Sequence, residues 1–288
     1  MRKLAHVLAF AAMLAGFAPS TAMAREADAT VREAASMIDA RTTGKRFVLL
    51  GEIHGTVEIP AIAGELAARW ASGAGRHPVL LGLEATSADQ VRVDRYLASK
   101  GTAEDRAALI AGKHWTEPTH DGRDSQAMAA LIERMRTLRA AGADVAIAMF
   151  DAPGGGERDA RMAKALREAI AAHPAARVLV LTGNVHAMTG EPPQMFNDGK
   201  PFTPPTTMAR RLADLHPTSI EFRAMSGEAW TCQDRCGRHA VPMPGRSISH
   251  PSMDRQGARA AWDHLVALPR FTASEPAATA SSEDHPPH

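Results

Sequence analysis

The chain has 288 residues, of which 45% are hydrophobic and 23% charged. That composition excludes collagen-like, coiled-coil and largely disordered chains, and the length suits one sizeable domain. The 33 Lys and Arg residues are balanced by 32 Asp and Glu with no basic block, so nucleic-acid binding through phosphate contacts has no support.

Residues 1–24 carry two cations, an apolar run from Leu4 to Phe17, a break at Pro19 and Ser20, and then Ala22-Met23-Ala24. This is the layout of a secretory signal peptide. The apolar run is shorter than the roughly 20 residues of a membrane span. Cleavage after Ala24 would remove Arg2 and Lys3 and turn the net charge of +1 into −1. The expectation is an exported protein, periplasmic or extracellular, with no stable membrane span after cleavage.

Apolar runs then follow at Phe47–Leu50, Val79–Leu83, Val145–Phe150 and Val178–Leu181, with a fifth strand predicted at Ser219–Ala224. Near-continuous hydrophobic strands of this kind suit a parallel sheet covered on both faces. Helical spacing fills Ala61–Ala71, Ser125–Ala141 and Arg158–Ala172. The alternation predicts an α/β fold, a mostly parallel β-sheet flanked by helices, with a helical insertion after the second strand. That insertion, residues 85–120, has a predicted helix at Ala88–Ser99. A Pro/Gly-rich loop is predicted over 188–205. Both are expected to lie over one end of the sheet as lids. The domain reading is a signal peptide at 1–24, a single α/β domain at 25–273 and a disordered tail at 274–288. Cys232 and Cys236, the two cysteines, are most simply a disulfide in an exported chain.

Chemistry concentrates at the downstream strand ends. The first run leads into Gly51-Glu52-Ile53-His54-Gly55, the second into Glu84, the third into Asp151 and the fourth into Gly183-Asn184-Val185-His186. In a parallel sheet these ends share one side, where α/β proteins place ligands. Glu52 and His54 straddle Ile53 and point the same way on an extended segment. Each residue also has a plainer reading: an exposed turn for Glu52 and His54, helix-start acids for Glu84 and Asp159, a capping residue for Asp151, and a lone satisfied imidazole for His186.

These four segments, together with Arg158-Asp159-Ala-Arg-Met162-Ala163 opening a helix, resemble the superfamily that joins ChaN-like haem-binding proteins, the Tiki/TraB proteases and the erythromycin esterases. The likeness spans about Arg46 to Ala187. In the esterase-like branch it implies that a histidine of the first motif is a general base activating water, with glutamates and a second histidine completing the site. In the Tiki branch it implies a metal held by the first-motif histidine and an acid. ChaN-like members bind haem and are associated with iron uptake, but Tyr96, the single tyrosine, is matched to no axial ligand.

From the chemistry of the residues, Glu52, His54, Glu84 and His186 form a candidate catalytic set of two imidazoles and two carboxylates. It can work without metal, one His taking a proton from water, or Glu52, His54 and His186 can supply ligands to a divalent metal. A serine nucleophile lacks its Gly-x-Ser-x-Gly elbow, and nucleotide-binding glycine motifs are missing after the strands. Candidate substrate-binding residues are His114, Trp115, Asp121 and Arg123, bunched in and after the insertion, together with Asp151 and Arg158. For the bunched group a surface loop anchored by its Trp is the plainer alternative. The function read from the sequence is an exported hydrolase acting on a small-molecule or peptide substrate. The alternative is a ChaN-like haem- or metal-binding protein without turnover.

Overall fold

The computed structural model describes residues 21–73, 75–152, 154–197, 200–241 and 245–278. Residues 1–20, most of the expected signal peptide, lie outside them. Ala22-Met23-Ala24 falls in the first turn of helix α1 (Thr21–Arg41). No helix among the described residues is long and apolar enough to cross a membrane.

After α1 come β1 (Phe47–Glu52), α2 (Glu58–Ser72), β2 (Val79–Thr86), a short 3₁₀ turn and α3 (Gln90–Leu97). Next are α4 (Ala103–Ile110), α5 (Lys113–Thr116), α6 (Gln126–Ala140), β3 (Val145–Asp151), α7 (Arg158–Ala172) and β4 (Arg177–Gly183). The chain closes with hairpin β5–β6 (Met195–Asn197, Lys200–Phe202), α8 (Met208–Arg211), β7 (Thr218–Ala224), hairpin β8–β9 (Glu228–Cys232, Cys236–Ala240), β10 (Ser252–Arg255) and β11 (His264–Leu268).

Seven strands form one sheet in the order β10-β11-β7-β1-β4-β2-β3. All neighbours are parallel except β10 against β11. The α/β architecture expected from the apolar runs is therefore the architecture found. β1 and β2 are buried along nearly their whole length because helices cover both faces. Helices α1, α2, α3 and α6 pack through Ile38, Leu66, Val93 and Met135 on one face, and α7 and α8 through Leu166 and Met208 on the other.

This arrangement positions the site. The chain leaves β1 toward β2 over one face and leaves β4 toward β7 over the other, although β1 and β4 are adjacent. Connections that depart in opposite directions open a crevice at the carboxyl ends of the two strands. Glu52 and Gly183, the last residues of β1 and β4, are paired in register at that point.

Two expectations change. The tail does not begin at 274: Ser274 N donates to Gly55 O, Ala277 N donates to Asp124 O, and Glu275 O accepts from Gln126 N. Backbone pairing with two loops orders the chain through residue 278 despite its polar composition. The 188–205 segment forms hairpin β5–β6 and does not line the crevice. That wall is supplied instead by hairpin β8–β9, closed by the Cys232–Cys236 disulfide.

Candidate active site

The crevice encloses about 430 Å³ between the ends of β1, β2 and β4, the 121–123 loop, the start of α7 and the β8–β9 hairpin. Glu84 is its hub, 4% exposed. Its Oε2 accepts from Thr182 Oγ1 and from the Gly183 backbone N–H, both at 2.7 Å. Its Oε1 faces Arg158 Nη2 at 2.7 Å, Arg123 Nη1 at 3.5 Å, His54 Nε2 at 3.7 Å and His186 Nε2 at 3.9 Å. Burial alone would raise the Glu84 pKa, but His54, His186, Arg158 and Arg123 outweigh it and hold the carboxyl well below the usual range. A buried carboxylate is tolerated here because every lone pair has a partner.

Each imidazole has a carboxylate behind it. His54 Nδ1 lies 2.9 Å from Glu52 Oε1, so the ring donates there and turns Nε2 into the crevice. Glu52 and His54 thus share one side of an extended segment, as their spacing requires. Burial opposes protonation of His54, yet Glu84 and Glu52 prevail and raise its pKa above the ordinary imidazole value. His186 Nδ1 lies 2.9 Å from Asp159 Oδ1, and its Nε2 lies 3.0 Å from Arg158 Nη1. A guanidinium can only donate, so His186 Nε2 is the acceptor and its proton sits on Nδ1. Both nitrogens of His186 are thus engaged in hydrogen bonds.

The guanidiniums form a second layer. Arg158 also binds Asp151 through Nε at 3.2 Å and Nη2 at 2.7 Å. Arg123 grips Asp121 through Nε at 2.9 Å and Nη2 at 2.6 Å and reaches Asp151 at 3.2 Å. Burial works against both guanidiniums, but these carboxylates keep them firmly protonated, with pKa values above the usual arginine range.

The loop carrying His54 is set by Gly55, whose φ of 70° lies in the left-handed region. A Cβ there would sit 2.1 Å from Trp230 O on the hairpin. Gly55 O accepts from both Trp230 N and Ser274 N. Trp230 Nε1 donates to His120 O, which ties the hairpin to the 120–124 loop that delivers Asp121 and Arg123.

Of the residues expected to bind substrate, Asp121, Arg123 and Arg158 line the crevice, and Asp151 stands behind the guanidiniums. His114 and Trp115 do not line it. Trp115 is fully buried, and the His114 ring meets it edge-on while donating from Nε2 to Arg123 O at 3.1 Å. The bunched polar sequence concealed that these two rings turn inward and support the Arg123 backbone. Burial pushes the His114 pKa down. Asp159 is the helix-start acid that the sequence suggests and also the carboxylate that orients His186. Its position directly after Arg158 in the helix-opening segment was the available signal.

The metal reading of Glu52, His54 and His186 does not fit. Among the described residues no group of three or more His, Cys, Asp or Glu is arranged to hold a metal ion. Glu52 is spent on His54 Nδ1, His186 Nε2 is taken by Arg158, and guanidinium nitrogens occupy the space beside Glu84. For haem, Tyr96 offers no ligand to the crevice: it is buried on α3 with its hydroxyl on Glu133 Oε2 at 2.7 Å.

Comparison with solved structures gives matches that span nearly the whole chain. A Bacillus cereus protein has a TM-score of 0.54 at 12% identity, covering 88% of this chain and 98% of its own. A mutant of the erythromycin esterase EreC in its open conformation has a TM-score of 0.51 at 14% identity, covering 82% of this chain and 93% of its own. The chain has the erythromycin esterase fold. The same fold is found in the type III effector HopBA1, with a TM-score of 0.50 at 14% identity over 82% of this chain and 93% of that one. These are the architectures that the sequence resemblance implied. Comparison with protein-family models gives no match, and neither does comparison with curated protein sequences.

Proposed function

We propose that this chain is an exported hydrolase that activates water on His54 without a metal. One observation carries the reading: Glu52 fixes the His54 tautomer so that the Nε2 lone pair opens into a crevice beside two guanidiniums. Water bound at Nε2 gives up a proton to the ring as its oxygen attacks an ester or amide carbonyl. The resulting oxyanion is stabilised by the N–H groups of Arg158 and Arg123. His54 then returns the proton to the leaving group. Asp159 and Arg158 hold the His186 ring in place as part of the wall, and Thr182 and the Gly183 N–H do the same for Glu84.

The fold shared with an erythromycin esterase supports ester hydrolysis over other chemistry for these residues. Glu52, Glu84, Asp121, Asp151 and Asp159 outnumber Arg123 and Arg158, so a neutral or cationic substrate suits the crevice better than an anion. Export is supported by the layout of residues 1–24 and by the Cys232–Cys236 disulfide.

The test is a panel of simple esters, macrolide lactones and peptides, assayed with and without a metal chelator. Turnover that survives the chelator and disappears in His54→Ala is expected. A chelator-sensitive activity, or wild-type turnover in His54→Ala, would overturn the assignment. Export is checked by N-terminal sequencing of the protein made in a bacterial host, with Arg25 expected as the first residue.

A further inference from the structure

The opposite end of the sheet holds a second cavity, of about 500 Å³, which the proposed hydrolysis does not use. Three separate chain segments wall it. The end of α1 supplies Asp39 and the loop into β1 supplies Lys45 and Arg46. The end of α2 and the loop after it supply Arg69, Trp70 and His77, and β4 begins with Arg177. Four permanent cations and an imidazole therefore meet around a single carboxylate.

Asp39 is already committed. Its Oδ1 accepts from Trp70 Nε1 at 2.8 Å and lies 3.5 Å from Arg177 Nη1. The Arg177 guanidinium carbon sits 3.7 Å from the centre of the Trp70 ring, which fixes the group in place. Arg69 is bridged to Glu65 at 3.2 Å. Lys45 and Arg46 have no carboxylate partner among the described residues.

Helix ends account for part of the cluster. Arg46 donates to the carbonyls of Ala176 and His173 after α7, and Arg177 donates to those of Thr42 and Lys45 after α1. Those carbonyl dipoles orient the guanidiniums but carry no full charge to cancel theirs. Burial draws the Arg177 pKa down, and Asp39 offsets this only in part. Arg123 and Arg158, surrounded by carboxylates, shift the other way.

We propose that this cavity is a binding site for a small polyanion carrying two or more negative charges on phosphate or carboxylate groups. Guanidiniums held by backbone carbonyls keep further N–H groups for bidentate contacts to such oxygens, and Lys45 adds a point charge at the rim. A volume of about 500 Å³ suits a compact ligand.

The test is calorimetric titration of inorganic pyrophosphate, and separately citrate, into the intact protein at 150 mM salt, with anionic phospholipid vesicles as a third arm. Saturable one-to-one binding of pyrophosphate or citrate is expected, weakened tenfold or more in Lys45→Ala/Arg69→Ala and unchanged in His54→Ala. Lys45 is exposed and Arg69 partly so, and the single variant Lys45→Ala, expected to weaken binding severalfold, serves if the double variant melts early. Absence of saturable binding by both anions, equal binding in the variants, or binding to vesicles alone would overturn the proposal.

Discussion

Arg158 holds the Nε2 of His186 as an acceptor at 3.0 Å, while Asp159, the next residue of α7, receives the proton of Nδ1 at 2.9 Å. Two consecutive residues thus engage both nitrogens of one imidazole and fix its ring. His54 is left with the open lone pair. His54→Ala is therefore expected to lower kcat by roughly 10²–10⁴-fold, the usual contribution of a general base. His186→Asn should lose less, and steady-state kinetics of the two variants side by side checks the order.

The Glu52 carboxylate supplies orientation. Glu52→Gln keeps an oxygen that can accept from His54 Nδ1 but lacks the charge that supports an imidazolium. A fall in kcat of about 10-fold or more is expected, with KM little changed. A change confined to KM would count against an orienting role.

The pH dependence follows from the raised His54 pKa. A base works deprotonated, so kcat/KM should rise with pH through a midpoint above about 6.5, the ordinary imidazole value. Replacing Glu84 by Gln removes the leading attraction on the imidazolium. The midpoint should move to lower pH in Glu84→Gln, and a pH–rate profile of any residual activity reads it.

Glu84 also links stability to pH. Its folded pKa is depressed, so its contribution is complete above the unfolded value near 4.5 and is lost as pH falls below that. Wild-type melting temperature should drop through this window. Glu84→Gln should melt lower at pH 7 and show a shallower acid slope, measurable by differential scanning calorimetry.

Gly55→Ala is expected to destabilise the fold by about 1–3 kcal/mol, because it adds a strained backbone and a Cβ against the Trp230 carbonyl. Displacement of the hairpin should cost activity as well. Thermal melts together with kcat of the soluble variant test both effects. Cys232→Ser/Cys236→Ser opens a five-residue loop, for which chain entropy gives a loss of roughly 2 kcal/mol.

Much of the sheet is legible in the sequence because β1, β2 and β4 are long, apolar and buried on both faces, and the edge strand β3 is apolar until its last residue. Strand β10 and the β8–β9 hairpin lack such runs, and β11 has only the short stretch Leu265–Leu268, so the sequence does not mark them. Helix α1 was hidden by the signal-like segment that leads into it. At the site, Glu52, His54, Glu84 and His186 could be found because strand ends converge whatever the side-chain rotamers. The direction of a ring within a loop is not encoded locally, so the sequence points His114 and Trp115 toward the crevice while packing turns them inward. Asp159 has a sufficient local reason to open a helix, and that masked its bond to a residue 27 positions away.

The Gly55 carbonyl, shared by Trp230 and Ser274, has a consequence for the order in which the protein matures. The loop bearing His54 is made early in the chain, yet its two backbone clasps come from segments more than 170 residues later. Closing such long loops is entropically slow, and local helices form well before them. The crevice is therefore completed only when the final strand and the segment through Ala278 have docked. A chain still emerging from the ribosome carries the residues of the crevice but not the crevice.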